Sequence, residues 1–83
     1  MAVPVLMPKF GQTMTDGTIV RWEKKVGDFV RKGEILLKIE TDKAEMDVES
    51  DESGYLLAIA AKEGELLPCG QAIAWLGEKG EEV

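Results

Sequence analysis

The chain has 83 residues with 10 Lys+Arg, 16 Asp+Glu, no His and one Cys, a net charge of −6. That length holds one small domain with a thin core, and the lack of His beside a single Cys excludes a Cys/His zinc site, a Cys–His nucleophile and a Ser-His-Asp triad. Cys69 has no partner for an internal disulfide, no apolar run reaches membrane-spanning length, and residues 1–20 carry no signal-peptide pattern, so a cytoplasmic protein without membrane contact is expected.

Taken along the chain, short apolar runs alternate with glycine. A run over residues 3–7 leads into a polar loop, residues 10–16, and a second run covers 18–22. Gly27 and Gly33 bracket a tight turn before the run 34–40. Strand patterning resumes at 45–50 and, beyond Gly54, at 55–60. Gly64 and Gly70 bracket a second tight turn before the last run, 71–76. Short runs with frequent glycine turns predict an all-β fold, a small sandwich or barrel. Residues 58–65 have some helical character, but Gly64 and Pro68 leave it too short. The charged, glycine-containing tail reads as a flexible linker, which puts the domain at residues 1–78 and the linker start at 79–83. Met1-Ala2 reads as a natural start.

The two halves repeat. A shift of 37 residues lays Gly17 on Gly54, Lys25 on Lys62, Gly27 on Gly64 and Gly33 on Gly70. The same shift lays Val20 on Leu57, Asp28 on Glu65, Phe29 on Leu66, Val30 on Leu67, Leu36 on Ile73 and Ile39 on Leu76. Matched turn glycines and matched apolar positions predict a closed pair of similar sheets related by a pseudo-two-fold axis.

The most legible element is a hairpin centred on Asp42-Lys43. Ile35, Leu37 and Ile39 alternate on one side of it, and Met46 and Val48 on the other. A two-residue loop pairs Ile39 with Met46 and Leu37 with Val48 on the inner face. On the outer face it sets Lys38 against Asp47, a favourable pair, and Glu40 against Glu45, an unfavourable one. No glycine occupies the loop, so a type I turn is expected in place of the usual primed turn.

Charge is concentrated at the same place. Residues 40–52 carry seven acids and one base, Lys43, whereas the other 70 residues carry nine of each. Such an acidic field repels phosphate backbones and argues against nucleic-acid binding. A lysine on a hairpin tip ordinarily does no more than keep a surface soluble. Here it sits on a rigid, well-patterned base, and it is the single nucleophilic amine among acids that form a readable address. An exposed lysine is protonated at neutral pH, so chemistry at Lys43 needs an external enzyme and an activated acyl donor. Lys43 reads as a modification site; no catalytic residue and no metal site are expected.

Glu40-Thr41-Asp42-Lys43-Ala44 resembles the lipoylation motif in the lipoyl domains of 2-oxo acid dehydrogenase complexes. The opening Met7-Pro8-Lys9-Phe10-Gly11-Gln12-Thr13-Met14-Thr15-Asp16-Gly17-Thr18-Ile19 is similar to the start of that domain in their dihydrolipoyl acyltransferase components. Gly27-Asp28 and Lys32-Gly33-Glu34 match the family's glycine turns, and Gly54 the glycine that begins its second half. The resemblance covers residues 2–78. It implies a flattened barrel of two four-stranded sheets, and lipoate joined by an amide to Lys43 through a lipoate ligase or lipoyl transferase. It also implies a swinging arm that a thiamine-diphosphate-dependent decarboxylating component reductively acylates. The arm then delivers its acyl group to coenzyme A at the acyltransferase core, and dihydrolipoyl dehydrogenase reoxidises it. The domain itself would be a monomeric, non-catalytic carrier. Its partners would read Glu40, Thr41, Asp42, Ala44 and Glu45 beside the tip, together with the turn at Gly27. The loop 10–16 is either a further contact, through Gln12 and Thr13, or a plain connection. Gln12-Thr13-Met14 and Gly17-Thr18-Ile19 resemble the pyruvate and acetoin types most.

Two other readings stand beside this one. A biotinyl carrier domain of a carboxylase shares the fold, but those domains resemble one another in a Met-Lys-Met tip, where this chain has Asp42 and Ala44. An unmodified barrel serving as a structural adaptor would leave the acid-flanked lysine and the opening motif unexplained. Trp22 and Trp75 read as core and rim packing, Met7, Met14 and Met46 as gap fillers, and Cys69 as a small residue in a turn.

Overall fold

Alternation of side chains along each short run, punctuated by glycine, builds strands and nothing else: among the described residues there is no helix. The structure, a computed structural model, describes residues 2–82; Met1, read as a natural start, and Val83, the last residue of the expected linker, lie outside them. The strands are β1 (Val3–Leu6), β2 (Asp16–Trp22), β3 (Phe29–Val30), β4 (Ile35–Glu40), β5 (Glu45–Glu49), β6 (Gly54–Ile59), β7 (Leu66–Pro68) and β8 (Ala72–Gly77). They form two four-stranded antiparallel sheets, ordered β1-β8-β6-β3 and β5-β4-β2-β7. The flattened two-sheet fold implied by the resemblance is the fold observed. β3 and β7, two and three residues long, are too short for alternation to reveal. They become strands by pairing with β6 and β2, Val30 opposite Gly54 and Leu67 opposite Gly17.

The repeat is real in three dimensions. Shifted by 37, β3 falls on the first two residues of β7, β4 falls on β8, and β2 overlaps β6. β1 corresponds to β5 at a shift of 42, because nine residues separate β1 from β2 and only four separate β5 from β6. The extra five residues are the opening loop, and they break the symmetry beside the hairpin.

The glycine turns repeat as well. In residues 25–28, 31–34, 62–65, 68–71 and 78–81 the fourth amide bonds the first carbonyl, at 2.9–3.2 Å. Each has a glycine at the third position with φ between +83° and +99°. Positive φ at that position alone makes these type II turns, which only glycine fills without strain. In four of them the fourth residue's carboxylate accepts the first residue's N–H: Asp28 from Lys25, Glu34 from Arg31, Glu65 from Lys62 and Glu81 from Glu78.

Between the sheets lie Met7, Ile19, Val30, Leu36, Leu37, Ile39, Val48, Leu56, Ala61, Leu67, Ile73, Ala74 and Leu76. Each fully buried side chain of Leu or Ile size contributes roughly 1.5–3 kcal/mol. Two expectations about the faces need correction. Ile35 does not continue the inner row: an extra residue shifts the β4–β5 register between Ile35 and Leu37, leaving Ile35 40% exposed and burying Leu36 and Leu37 together. Phe29 and Leu66, matched by the repeat as core positions, instead point outward at 48% and 61% exposure. Alternation gives the inward places to Val30 and Leu67, and Phe29 packs edge-on against Tyr55, ring centroids 5.1 Å apart. Trp22 closes the rim by donating its indole N–H to the Ala61 carbonyl at 2.9 Å.

Candidate functional site

The β4–β5 hairpin carries the candidate site. Its register is Leu37↔Val48, Lys38↔Asp47, Ile39↔Met46 and Glu40↔Glu45, as the two-residue loop requires. Ile39 and Val48 anchor its inner face in the core, and Met46 packs against it half-buried. No non-glycine residue among those described has positive φ, which excludes a primed turn.

A single hydroxyl closes the tip. Thr41 Oγ1 accepts the Lys43 N–H at 3.2 Å and the Ala44 N–H at 3.3 Å, and donates to the Ala44 carbonyl at 3.1 Å. The Thr41 N–H adds a bond to the same carbonyl at 2.9 Å. Threonine satisfies turn amides in this way wherever a hydroxyl can reach two or three residues ahead. Thr41, expected only as a residue read by partners, turns its hydroxyl to the tip backbone, a role its place two residues before Lys43 could have signalled.

Lys43 is exposed, as are Asp42, Ala44, Glu40 and Glu45, while Thr41 is half-buried. No carboxylate among the described residues lies within 4.0 Å of the Lys43 ammonium, so the amine projects bare. The outer-face ion pair differs from the one expected. Lys38 Nζ reaches Glu45 Oε1 at 3.9 Å rather than Asp47. The longer glutamate meets the ammonium diagonally, and this contact offsets part of the Glu40–Glu45 repulsion.

The remaining predicted residues divide. The opening loop lies beside the hairpin: Met7 Sδ, Ile39 Cδ1 and Met14 Cε all come within 3.4 Å of the place a Cβ would take on Gly17. Its ends are tied to the β7–β8 turn by Met7 N–H to the Gln71 carbonyl, Gly70 N–H to the Met7 carbonyl and Cys69 N–H to the Thr15 carbonyl. Cys69 directs its thiol at the Pro8 and Met14 carbonyls, 3.4 and 3.7 Å away. Gln12 and Thr13 are exposed and make no hydrogen bond to the tip. Gly27 is not brought to the tip. β2 leads away from the hairpin end, from Thr18 opposite Glu40 to Trp22 opposite Leu37. Gly27 lies beyond that far end, at φ +99° in a type II turn, with its N–H on the Leu56 carbonyl. Its demand is conformational.

The chain's likeness to known proteins is consistent across sequence and structure. Residues 3–76 match the biotin/lipoyl family model described as "Biotin-requiring enzyme". The chain is 48% identical over 83 residues to the dihydrolipoyllysine-residue acetyltransferase component of the acetoin cleaving system of Bacillus subtilis, covering 100% of this chain and 21% of that protein. It is 48% identical over 79 residues to acetyltransferase component 5 of the chloroplastic pyruvate dehydrogenase complex of Arabidopsis thaliana, covering 95% of this chain and 17% of that protein. The solution structure of the lipoyl domain of the 2-oxoglutarate dehydrogenase complex from Azotobacter vinelandii superposes with a TM-score of 0.74 at 33% identity, covering 94% of this chain and 99% of that one. The chain thus spans about a fifth of the length of the curated relatives it matches, and nearly all of an isolated lipoyl domain.

Proposed function

The chain belongs to the family of biotinyl- and lipoyl-attachment domains, and from that premise we propose that it is a lipoyl carrier domain with Lys43 as its attachment point. The observation that carries the reading is the bare Lys43 amine on a two-residue tip clasped by Thr41. A primary amine free of ion pairs among the described residues and projecting from a rigid hairpin fits an amide bond to the lipoyl carboxyl. When attached, the lipoyl group supplies a dithiolane that takes up an acyl group and electrons together.

The chain's own residues supply presentation. Ile39 and Val48 hold the hairpin to the core, Thr41 holds the tip amides, and Asp42 and Ala44 flank the amine for the attaching ligase or transferase. Amide formation removes the charge of Lys43, the one base among the seven acids of residues 40–52. The acids Glu40, Asp42 and Glu45 then form an address for a thiamine-diphosphate-dependent decarboxylating component. No residue here is assigned a catalytic role; acyl transfer to coenzyme A and reoxidation belong to an acyltransferase core and a dihydrolipoyl dehydrogenase. Carriage on a tether raises the local concentration of the arm to roughly millimolar, so recognition at each partner need be neither tight nor slow. A biotinyl role fits less well, because the curated relatives above carry dihydrolipoyllysine in their names and the tip lacks flanking methionines.

The test is intact mass and peptide mapping of the chain, isolated from its own host and also after incubation with a lipoate ligase, lipoate and ATP. One lipoyl increment on Lys43 is expected, and none on Lys43→Gln, whose melting temperature stays that of the parent because the exposed side chain makes no ion pair or hydrogen bond among the described residues. A biotinyl increment moves the chain to the carboxylases. No increment, with a ligase active on another lipoyl domain, overturns the carrier reading.

A further inference from the structure

A groove runs along one side of the sandwich, between β1 and β5, the edge strands of the two sheets. One bank is mostly apolar, with Leu6 and Phe10 49% and 44% exposed and Lys9 beside Phe10 its one base. The other is acidic: Asp47, Glu49 and Glu52 are exposed and have no ion-pair partner among the described residues. Among the described residues β1 pairs only with β8 and β5 only with β4, so each leaves one edge of backbone N–H and C=O groups unpaired by a neighbouring strand.

The two edges differ. β1 is blunted by Pro4, which lacks a donor, and by a register shift between Val5 and Leu6. β5 is five residues in strict alternation, Glu45, Asp47 and Glu49 outward and Met46 and Val48 inward. A strand laid along β5 inherits that alternation. Its outward side chains lie beside Asp47 and Glu49 and its inward ones beside Val48, facing the bank of Leu6 and Phe10. Glu45, Asp47 and Glu49 disfavour a second copy of this edge, because like charges across a strand pair repel.

We propose that β5 is a docking edge for an extended segment of a partner polypeptide that alternates basic and apolar residues, the basic ones on Asp47 and Glu49 and the apolar ones in the groove against Val48, Leu6 and Phe10. This is strand addition with charge complementarity setting both register and partner. It goes beyond the carrier reading and does not depend on Lys43 being modified.

The test is a ¹⁵N NMR titration of the unmodified chain with two capped ten-residue peptides of equal composition. One alternates Lys and Val; the other has its five lysines in one block and its five valines in another. The alternating peptide is expected to bind at least tenfold more tightly, with saturable shifts concentrated at residues 3–10 and 45–52. Asp47→Asn with Glu49→Gln, both exposed and unpaired, is expected to weaken that binding at least fivefold while the amide spectrum stays folded. Equal affinity for the two peptides, shifts spread evenly over the acidic residues, or no binding of either would overturn the proposal and leave the acids as a guard against edge-to-edge aggregation.

Discussion

Replacing Thr41 with Val keeps the volume and branching of the side chain and removes only its hydroxyl. Three contacts vanish: acceptance from Lys43 N–H and Ala44 N–H and donation to the Ala44 carbonyl, at 3.2, 3.3 and 3.1 Å. These are at the long end of the hydrogen-bond range, and the freed amides lie at the surface where water replaces the lost partner. Each therefore counts at the low end of a net hydrogen bond, about 0.5 kcal/mol, for a total of about 1–1.5 kcal/mol. In a domain of this size that lowers the melting temperature by roughly 4–12 °C. The 2.9 Å bond from Thr41 N–H to the Ala44 carbonyl survives the substitution, so the hairpin register persists. Calorimetry reads the global loss. Amide exchange at Lys43 and Ala44 reads the local one, with an acceleration of about tenfold, the equivalent of about 1.4 kcal/mol. The initial rate of lipoylation falls in parallel, and Thr41→Ser restores most of all three. Unchanged exchange at Lys43 and Ala44 in Thr41→Val would refute the reasoning. A lipoylation defect under those conditions would mean that the attaching enzyme reads the hydroxyl directly.

Gly54→Ala puts a Cβ 3.1 Å from the Gly77 carbonyl oxygen and 3.2 Å from its nitrogen, where β6 and β8 approach as paired strands. Backbone on both sides leaves nothing flexible to yield, so a loss of about 1–3 kcal/mol is expected by urea denaturation with an unchanged m-value. The Arg31 N–H bonded to Glu34 at 2.6 Å, with Lys24 nearby, holds the Glu34 carboxyl below the usual glutamate range. A depressed carboxyl stabilises the fold above its unfolded pKa, and that contribution is lost as pH falls through the folded value. The Arg31 amide proton is therefore expected to shift upfield in acid with a midpoint below about 4.3, the ordinary glutamate value. Glu34→Gln should abolish that step, and a midpoint at the ordinary value would count against the turn's carboxylate clasp.

Much of this protein is written locally. The hairpin register followed from the spacing of Leu37, Ile39, Met46 and Val48 around a two-residue loop, because side-chain direction reverses at every residue and one slip would expose the whole inner row. Gly27, Gly33, Gly64 and Gly70 were legible as turn residues, because positive φ is a demand made on one residue by its immediate neighbours. Each nevertheless occupies its own type II turn with β3 or β7 between, where a single tight turn was expected from Gly27 to Gly33 and from Gly64 to Gly70. Lys43 is proposed as the attachment point from its address, the acids and the motif around it, and the structure adds that it is exposed at a hairpin tip. Other features depend on residues far apart in the chain. β3 and β7 exist only because β6 and β2 lie beside them. The double burial of Leu36 and Leu37 reflects a bulge chosen by sheet packing, which overrides simple alternation at Ile35. Gly54 meets Gly77, and Leu6 faces Asp47 across a groove, only once the two sheets have closed. Strand period and turn chemistry act over two to four residues and so leave their mark in sequence. Sheet closure joins residues more than twenty apart, where the position of each is set by the packing of all the others.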